Sequence, residues 1–152
     1  MLTPIPSRSG TGGVDRFDFN DLFVLDLANN HQGSLEHGLR VVREVGGVVR
    51  ERGARAALKF QFRQLESFIH PAHQQGTEHK QVKRFLGTKL AMPDFAVLLA
   101  EVRKAGLVTM CTPFDEASVD LIAEGDYDII KVASCSAKDW PLLEKSRMPG
   151  SR

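Results

Sequence analysis

The stretch Phe23-Val24-Leu25-Asp26-Leu27-Ala28-Asn29-Asn30-His31-Gln32-Gly33-Ser34 decides the fold of this chain. It begins as an apolar run around one carboxylate, Asp26, which is typical of a buried β-strand. It then becomes polar and ends at Gly33-Ser34, where the Ser34 hydroxyl can cap a helix by accepting a hydrogen bond from an unpaired backbone N–H. The stretch therefore predicts a strand, a polar loop and a helix.

The same pattern recurs in three later stretches, which are Ala56–Phe62, Leu107–Asp115 and Asp128–Ser134. The first contains a lysine and a glutamine, the second ends in polar residues, and the third contains another lysine. A charged side chain in a strand that is covered on both faces destabilises the fold unless it forms an ion pair or takes part in function. Several strands, each with a polar group near its carboxyl end, therefore indicate a functional site.

Composition limits the classes of protein that the chain can belong to. It has 152 residues, of which 42% are hydrophobic and 26% charged, as expected for one globular domain. The net charge of +1 gives no electrostatic reason to expect nucleic acid or an anionic membrane as a partner. No apolar run approaches the roughly 18 residues of a membrane helix. We expect a cytoplasmic location.

The pattern of apolar residues predicts alternating strands and helices. We place strands at about 22–27, 56–62, 107–111 and 128–133, and helices at about 35–52, 93–105 and 116–124, with a further helix starting at Trp140. The long connection at 63–89 contains three histidines and a basic set that we interpret as a solvated face, with a helical turn at 81–86.

The first helix carries an apolar stripe, formed by Leu35, Leu39, Val42, Gly46 and Val49. Two glycines inside a helix, Gly46 and Gly47, cost up to about 2 kcal/mol relative to two alanines. A close approach between this helix and a strand is the reason that we expect for them.

Alternating strands and helices favour a parallel sheet with right-handed crossovers. The candidates are an open doubly wound sheet and part of a (β/α)8 barrel. The glycine pattern of a dinucleotide-binding loop is missing after the first strand, and polar groups at the carboxyl ends of strands favour the barrel. A barrel needs roughly 250 residues. We therefore expect an α/β fold, the N-terminal half of a TIM-type (β/α)8 barrel that is apparently truncated after the fourth unit.

In this division, residues 1–20 form a loose tail, 21–145 form the partial barrel, and 146–152 form a tail without a pattern.

Two lysines are the leading candidates for a binding site. Lys59 and Gln61 are two residues apart, so both point to one face of the second strand, and Lys131 occupies a similar place in the fourth. Two converging lysines would bind a phosphate or a carboxylate. The alternative is a lysine–aspartate pair, for example with Asp26, that holds the strand ends together.

The other candidates also have two interpretations. Asp26 can act as a general acid or base if burial raises its pKa, or as a structural partner of a lysine. Asn30 and His31 follow the first strand, and we expect His31 to form hydrogen bonds rather than to bind a metal. Ser134 suits hydrogen bonding to a ligand, whereas Asp115 can simply cap the next helix.

Together these stretches resemble the N-acetylneuraminate (sialic acid) synthase family. The family motif Ala-Glu-Ile-Gly-x-Asn-His-Asn-Gly is similar to Leu25–Gly33, and its Lys-Phe-Gln motif is Lys59-Phe60-Gln61. Its Ser-Thr-Pro-Phe-Asp motif is similar to Cys111–Asp115, and its Lys-Ile-Ala-Ser motif matches Lys131–Ser134. The four motifs occur in the family's order and approximate spacing, and the resemblance covers about residues 23–145.

The resemblance implies an activity. Members of this family condense phosphoenolpyruvate with an N-acetylated amino sugar such as N-acetylmannosamine, water enters, phosphate leaves, and a nine-carbon 2-keto acid forms. It also implies a divalent metal, manganese or magnesium, whose histidine ligands lie on later strands of the family's barrel. We therefore expect the metal ligands to lie outside this chain, and a homodimer is a further expectation.

The resemblance also implies roles for particular residues. Lys59, Gln61, Lys131 and Ser134 would hold phosphoenolpyruvate, and Asp26 stands where the family has a glutamate that is longer by one methylene group. We assign Asp26, Lys59 and Lys131 to catalysis. The residues that we assign to substrate binding are Asn30, His31, Gln61, Thr112, Asp115 and Ser134.

Two other hypotheses remain at this point. The chain can be a catalytically inactive half-barrel that binds a partner or dimerises. It can also be an enzyme of this type with a different sugar, a choice on which residues 63–90 would bear.

Overall fold

A computed structural model describes residues 17–74 and 78–147 of the chain. Four strands form one sheet in chain order, and all neighbouring pairs are parallel. The strands are β1 (Leu22–Asp26), β2 (Arg55–Phe62), β3 (Val108–Pro113) and β4 (Ile129–Ile130). A parallel sheet in simple sequential order is the arrangement of a (β/α)8 barrel, so the fold class predicted from the sequence is confirmed.

Helices connect the strands and cover one face of the sheet. They are α1 (Leu35–Glu51), α2 (Leu65–Phe68), α3 (Lys80–Gly87), α4 (Met92–Lys104), α5 (Glu116–Glu124) and α6 (Trp140–Arg147). Two short 3₁₀ turns occur at Pro71–His73 and Ser134–Ser136. The connection between β2 and α4 is therefore largely helical, because the predicted turn at 81–86 is a complete helix.

The fourth strand is shorter than predicted. It has two residues. Before the strand, the Asp128 side chain accepts hydrogen bonds from the backbone N–H and the hydroxyl of Thr109, at 2.8 and 2.7 Å. After Ile130, the backbone N–H of Lys131 still donates to Cys111 at 2.9 Å. The chain then enters the 3₁₀ turn, so residues 131–133 lie near the sheet without extending it.

The two faces of the sheet differ in what they contact. One side, which we call the outer face, packs on α1, α4 and α5 through a large apolar cluster that includes Leu58, Phe60, Val42, Leu98, Val102 and Ile122. The other side, which we call the inner face, has a small cluster of Ala57, Val108 and Met110. The inner face corresponds to the interior of a barrel, and it contains the predicted site residues of β2.

The apolar stripe of α1 packs as predicted, but the reason expected for its glycines is wrong. A Cβ atom on Gly46 would lie 2.8 Å from the Cβ of Ala105, the residue that ends α4. The close approach is therefore between two helices and not between a helix and a strand. A Cβ atom on Gly47 would meet nothing within 4 Å.

Parts of the predicted tails have contacts. The Arg55 guanidinium donates to the backbone oxygens of Asp18 and Asn20, at 2.6 and 3.1 Å, so residues 17–20 lie against the start of β2. Residues 146–147 belong to α6. Residues 1–16 and 148–152 lie outside the described residues. Among the helices that the structure describes, none is long and apolar enough to cross a membrane.

Replacing each of the two adjacent glycines of α1 with alanine should change the free energy of unfolding in opposite directions. Gly47→Ala raises the free energy of unfolding by about 0.5–1 kcal/mol, because alanine favours the helix and its methyl group has free space. Gly46→Ala lowers it by about 1–3 kcal/mol, because the new methyl group overlaps Ala105. Urea unfolding of both variants checks this, and equal effects would contradict the close contact between α1 and α4.

Candidate active site

The centre of the inner face is a buried lysine. Lys59 lies in β2, where Asp26 of β1 and Met110 of β3 are its register partners. Its Nζ atom is 2.9 Å from Oδ2 of Asp26, and the lysine side chain is 8% exposed whereas the aspartate is 50% exposed. The lysine–aspartate pair that the sequence left open is therefore present.

This ion pair leaves donors available on the lysine. An ammonium group has three N–H donors, and one of them points to Asp26. Because the Asp26 carboxylate is half exposed, it lacks the burial that the acid–base interpretation requires. The catalytic role of Asp26 stays a prediction, and the structure shows its pairing with Lys59.

Two polar side chains lie beside Lys59 on the same face. Gln61 and Thr112 are register partners on β2 and β3. The Thr112 hydroxyl is buried and has no hydrogen-bond partner within the described chain. The Gln61 carbonyl accepts a hydrogen bond of 2.9 Å from Arg63. Since a guanidinium group only donates, the Gln61 amide nitrogen remains available to donate. The inner face thus offers several donors to a ligand oxygen.

The second lysine follows β4. Alternation along the strand places Lys131 on the face of Ile129, which is the register partner of Met110, so both lysines belong to the inner face with β3 between them. Lys131 is exposed and has no ion pair with the described residues. Ser134 is exposed at the start of the 3₁₀ turn. The binding roles of both residues stay predictions.

Asp115 has structural contacts through both of its oxygens. One accepts a hydrogen bond from the Ser118 backbone N–H at 2.8 Å, which caps α5. The other accepts from the Gln64 backbone N–H at 2.7 Å, which ties the loop after β2 to the loop after β3. These contacts agree with the capping interpretation, and substrate binding by Asp115 stays a prediction.

The loop after β1 is organised by His31. The His31 ring is buried, lies edge-on to Phe95 at 5.5 Å between centroids, and accepts at Nδ1 a hydrogen bond of 3.1 Å from the Gly33 backbone N–H. Burial, with a smaller contribution from His37, lowers the pKa of His31 below its ordinary value of 6.5. The ring is therefore neutral, with its proton on Nε2. Asn30 is exposed, and its amide donates to the Asp26 backbone oxygen at 3.4 Å.

The lowered pKa of His31 predicts a loss of stability on acidification. The unfolded chain takes up this proton near pH 6.5 and the folded chain only at lower pH, so the stabilisation is complete above pH 6.5 and falls as the pH falls. The slope is at most about 1.4 kcal/mol per pH unit.

Urea unfolding at pH 7.5 and 5.5 measures this loss. His31→Asn, which keeps an acceptor but does not titrate, should reduce the difference between the two pH values. If the free energy of unfolding falls between pH 7.5 and 5.5 by as much in His31→Asn as in the wild type, His31 is not the source of the loss of stability.

A cavity lies at the carboxyl end of β2. It has a volume of about 240 Å³ and is lined by residues of the β1–α1 loop, the end of β2 and the α3–α4 connection, among them His31, Gln61, Arg63, Glu66 and Lys89. Lys59, Thr112 and Lys131 do not line it. The cavity and the lysine face are therefore distinct regions, with Gln61 common to both.

Sequence reasoning missed Arg63. Its guanidinium carbon lies 3.9 Å from the centroid of Phe114, 4.5 Å from Phe85 and 5.9 Å from Phe68. Burial lowers its pKa from the ordinary value, and repulsion from Arg84 adds to this. One signal existed in the sequence, because Arg63 continues the two-residue spacing of Lys59 and Gln61. The aromatic partners come from three separate segments and had no such signal.

The described residues do not provide a metal centre. Over 17–74 and 78–147, no group of three or more histidine, cysteine, aspartate or glutamate side chains is placed to hold an ion. These residues thus do not fit the metal that the resemblance implies.

Fold and site together define a class of protein. It is a parallel β/α protein with a buried cation and an unpaired hydroxyl on the inner face of its sheet, near the strand ends where (β/α)8 barrels bind their substrates. The model of the NeuB family matches residues 48–151, and the chain belongs to this family.

Individual relatives agree with the family. The crystal structure of a protein described as spore coat polysaccharide biosynthesis protein E from Chromobacterium violaceum is 42% identical, with a TM-score of 0.79 over 83% of this chain and 38% of that one. Human N-acetylneuraminate-9-phosphate synthase is 25% identical over 84% of this chain. An uncharacterized protein of Methanocaldococcus jannaschii is 30% identical over 80% of it. The resemblance to sialic acid synthases is confirmed.

A more distant structure supports the fold alone. The N-acetylneuraminic acid synthetase of Leptospira borgpetersenii has a TM-score of 0.65 at 24% identity, over 83% of this chain. The chain spans about one third of the curated relatives, 33% of the archaeal protein and 36% of the human one.

Proposed function

We propose that this chain contributes to the condensation of phosphoenolpyruvate with an N-acetylated amino sugar of the N-acetylmannosamine type. The products are a nine-carbon 2-keto sugar acid and phosphate. One observation carries the proposal, the buried Lys59 beside an unpartnered Thr112 hydroxyl on the inner face. Membership of the NeuB family supports it, as does the likeness to human N-acetylneuraminate-9-phosphate synthase.

The arrangement suits a small molecule with two acidic groups. Phosphoenolpyruvate carries a phosphate and a carboxylate, and Lys59, Thr112 and the Gln61 amide can donate to one of them while Lys131 approaches from the side of β4. Donors that are fixed in a site of low dielectric stabilise an oxyanion more strongly than donors in water. Asp26 lies 2.9 Å from the Lys59 Nζ atom, which holds the lysine side chain in position on the inner face.

The chemistry then needs three events. The methylene carbon of phosphoenolpyruvate forms a bond to the aldehyde carbon of the sugar, water adds to its second carbon, and the bond from that carbon to the phosphate oxygen breaks. We assign to the half-exposed Asp26 the orientation of the sugar or of the water. A divalent metal, manganese or magnesium, is part of this proposal through the resemblance, with ligands outside the described residues. We place the reaction in the cytoplasm.

Removing either lysine should weaken binding of phosphoenolpyruvate. Lys59→Ala and Lys131→Ala each cost about 1.5–3 kcal/mol of binding free energy if each lysine makes a charged hydrogen bond. Isothermal titration with phosphoenolpyruvate measures the loss. Lys83→Ala is the matched control, because this exposed lysine pairs with Glu78 on another surface.

Circular dichroism must show that the variants are folded, and Lys59→Met provides a variant that keeps the length of the side chain. Unchanged affinity in both lysine variants would refute the anion site.

A second candidate is a catalytically inactive half-barrel that dimerises. The exposure of β1 favours it, because β1 pairs on one side only among the described strands, and Phe23 and Val24 are 63% and 49% exposed. Unpaired apolar edges promote association.

Sedimentation equilibrium tests this second candidate. Val24→Lys should convert a dimer to a monomer, whereas Val97→Lys, at an exposed valine of α4, should leave the dimer unchanged. A wild-type monomer at all concentrations would exclude it.

A further inference from the structure

We propose that Arg63 forms a second oxyanion subsite in the cavity, which binds a phosphate or carboxylate group carried by the second substrate. The identity of the carrier rests on the proposed function. The binding of an oxyanion at Arg63 does not, because it follows from the geometry of the cavity.

Aromatic rings hold the Arg63 guanidinium in place, and no described carboxylate is in contact with it. Phe114, Phe85 and Phe68 surround it at 3.9, 4.5 and 5.9 Å from its central carbon to the ring centroids. Rings attract a cation without neutralising its charge. No ion pair of the described residues includes Arg63. Asp115 attracts the guanidinium from a distance, but both of its oxygens accept hydrogen bonds from backbone N–H groups, so the positive charge of Arg63 has no carboxylate in direct contact.

Some of the N–H donors of the Arg63 guanidinium have no acceptor among the described residues. The Nη2 atom donates to the Gln61 side-chain oxygen at 2.9 Å, whereas the buried Nε atom has no acceptor within the described chain. Buried donors without an acceptor are rare in folded proteins. A planar guanidinium group with free donors matches the two oxygens of a carboxylate or phosphate.

The charges of the lining residues and the volume of the cavity also favour a small acidic group. The other basic residue of the cavity, Lys89, is paired with Glu66 at 2.5 Å, and His31 is neutral, so Arg63 supplies the positive charge of the lining that is not held in an ion pair. A volume of about 240 Å³ lies below the roughly 300–1,000 Å³ of typical ligand pockets. The cavity is therefore suited to one acidic end of a ligand.

Gln61 connects this subsite to the lysine face. Its carbonyl is fixed by Arg63, and its position in β2 is two residues from Lys59 and one strand from Thr112. A ligand at Lys59 and a ligand at Arg63 would thus be neighbours. This is the arrangement that two substrates of one condensation need.

Nuclear magnetic resonance of the full chain tests the proposal through the Nε–H signal of Arg63. The signal is assigned by its loss in Arg63→Lys. The probes are inorganic phosphate, mannose 6-phosphate, mannuronate and neutral mannose. We expect saturable shifts of the Nε–H signal with phosphate and with at least one of the two acidic sugars, and none with mannose. The acidic sugar that binds with the higher affinity shows whether the subsite prefers a phosphate or a carboxylate.

Variants separate this subsite from the lysine face. The shifts should persist in Lys59→Gln and in Arg84→Gln, which removes an exposed cation near Phe85. Isothermal titration with the acidic sugar measures affinity in variants that lack this signal, and the affinity should fall at least tenfold in Arg63→Gln and recover in part in Arg63→Lys. No shift with any anion, or shifts that disappear in Lys59→Gln, would overturn the proposal. If the wild-type chain binds an acidic sugar at Arg63 but does not bind phosphoenolpyruvate, the proposed function is refuted and the Arg63 subsite stands.

Discussion

The ion pair between Lys59 and Asp26 is the interaction on which the inner face depends. A buried ammonium group is strongly unfavourable unless it is paired, and Asp26 supplies the partner at 2.9 Å from the end of the neighbouring strand. The pair joins β1 to β2 near their carboxyl ends. The carboxylate remains half exposed, whereas the lysine side chain is 8% exposed.

The rest of the fold keeps this pair in position from the other side of the sheet. Alternation along β2 sends Leu58, Phe60 and Phe62 to the outer face, where α1, α4 and α5 cover them. The loops beyond the strand ends are joined by polar contacts. Asp115 connects the loops after β2 and β3, and His31 closes the loop after β1. A rigid outer face and tied loops let a few polar groups project on the inner face.

Local patterns predicted the elements, and tertiary contacts set their ends. Apolar periodicity was sufficient for the parallel order of the strands and for the stripe of α1. The residue before β4, Asp128, is held by hydrogen bonds to Thr109, which lies far away in sequence. For the same reason the neighbour of Gly46 could not be predicted, because Ala105 approaches it from another helix.

The site was predictable in part. The two-residue spacing of Lys59 and Gln61 placed both on one face, and the lysine–aspartate pair was one of two alternatives. The unpartnered Thr112 hydroxyl and the aromatic surroundings of Arg63 come from packing between distant segments. Sequence spacing cannot report such contacts, and it cannot report that both Asp115 oxygens bind backbone N–H groups.

A crystal structure of this chain with phosphoenolpyruvate would test the central claim, that Lys59 anchors this substrate on the inner face. We expect a phosphate or carboxylate oxygen within hydrogen-bond distance of both Lys59 Nζ and Thr112 Oγ1, while the ion pair between Lys59 and Asp26 is retained. Phosphoenolpyruvate bound elsewhere, with Lys59 contacting Asp26 alone and the Thr112 hydroxyl still unpaired, would contradict it.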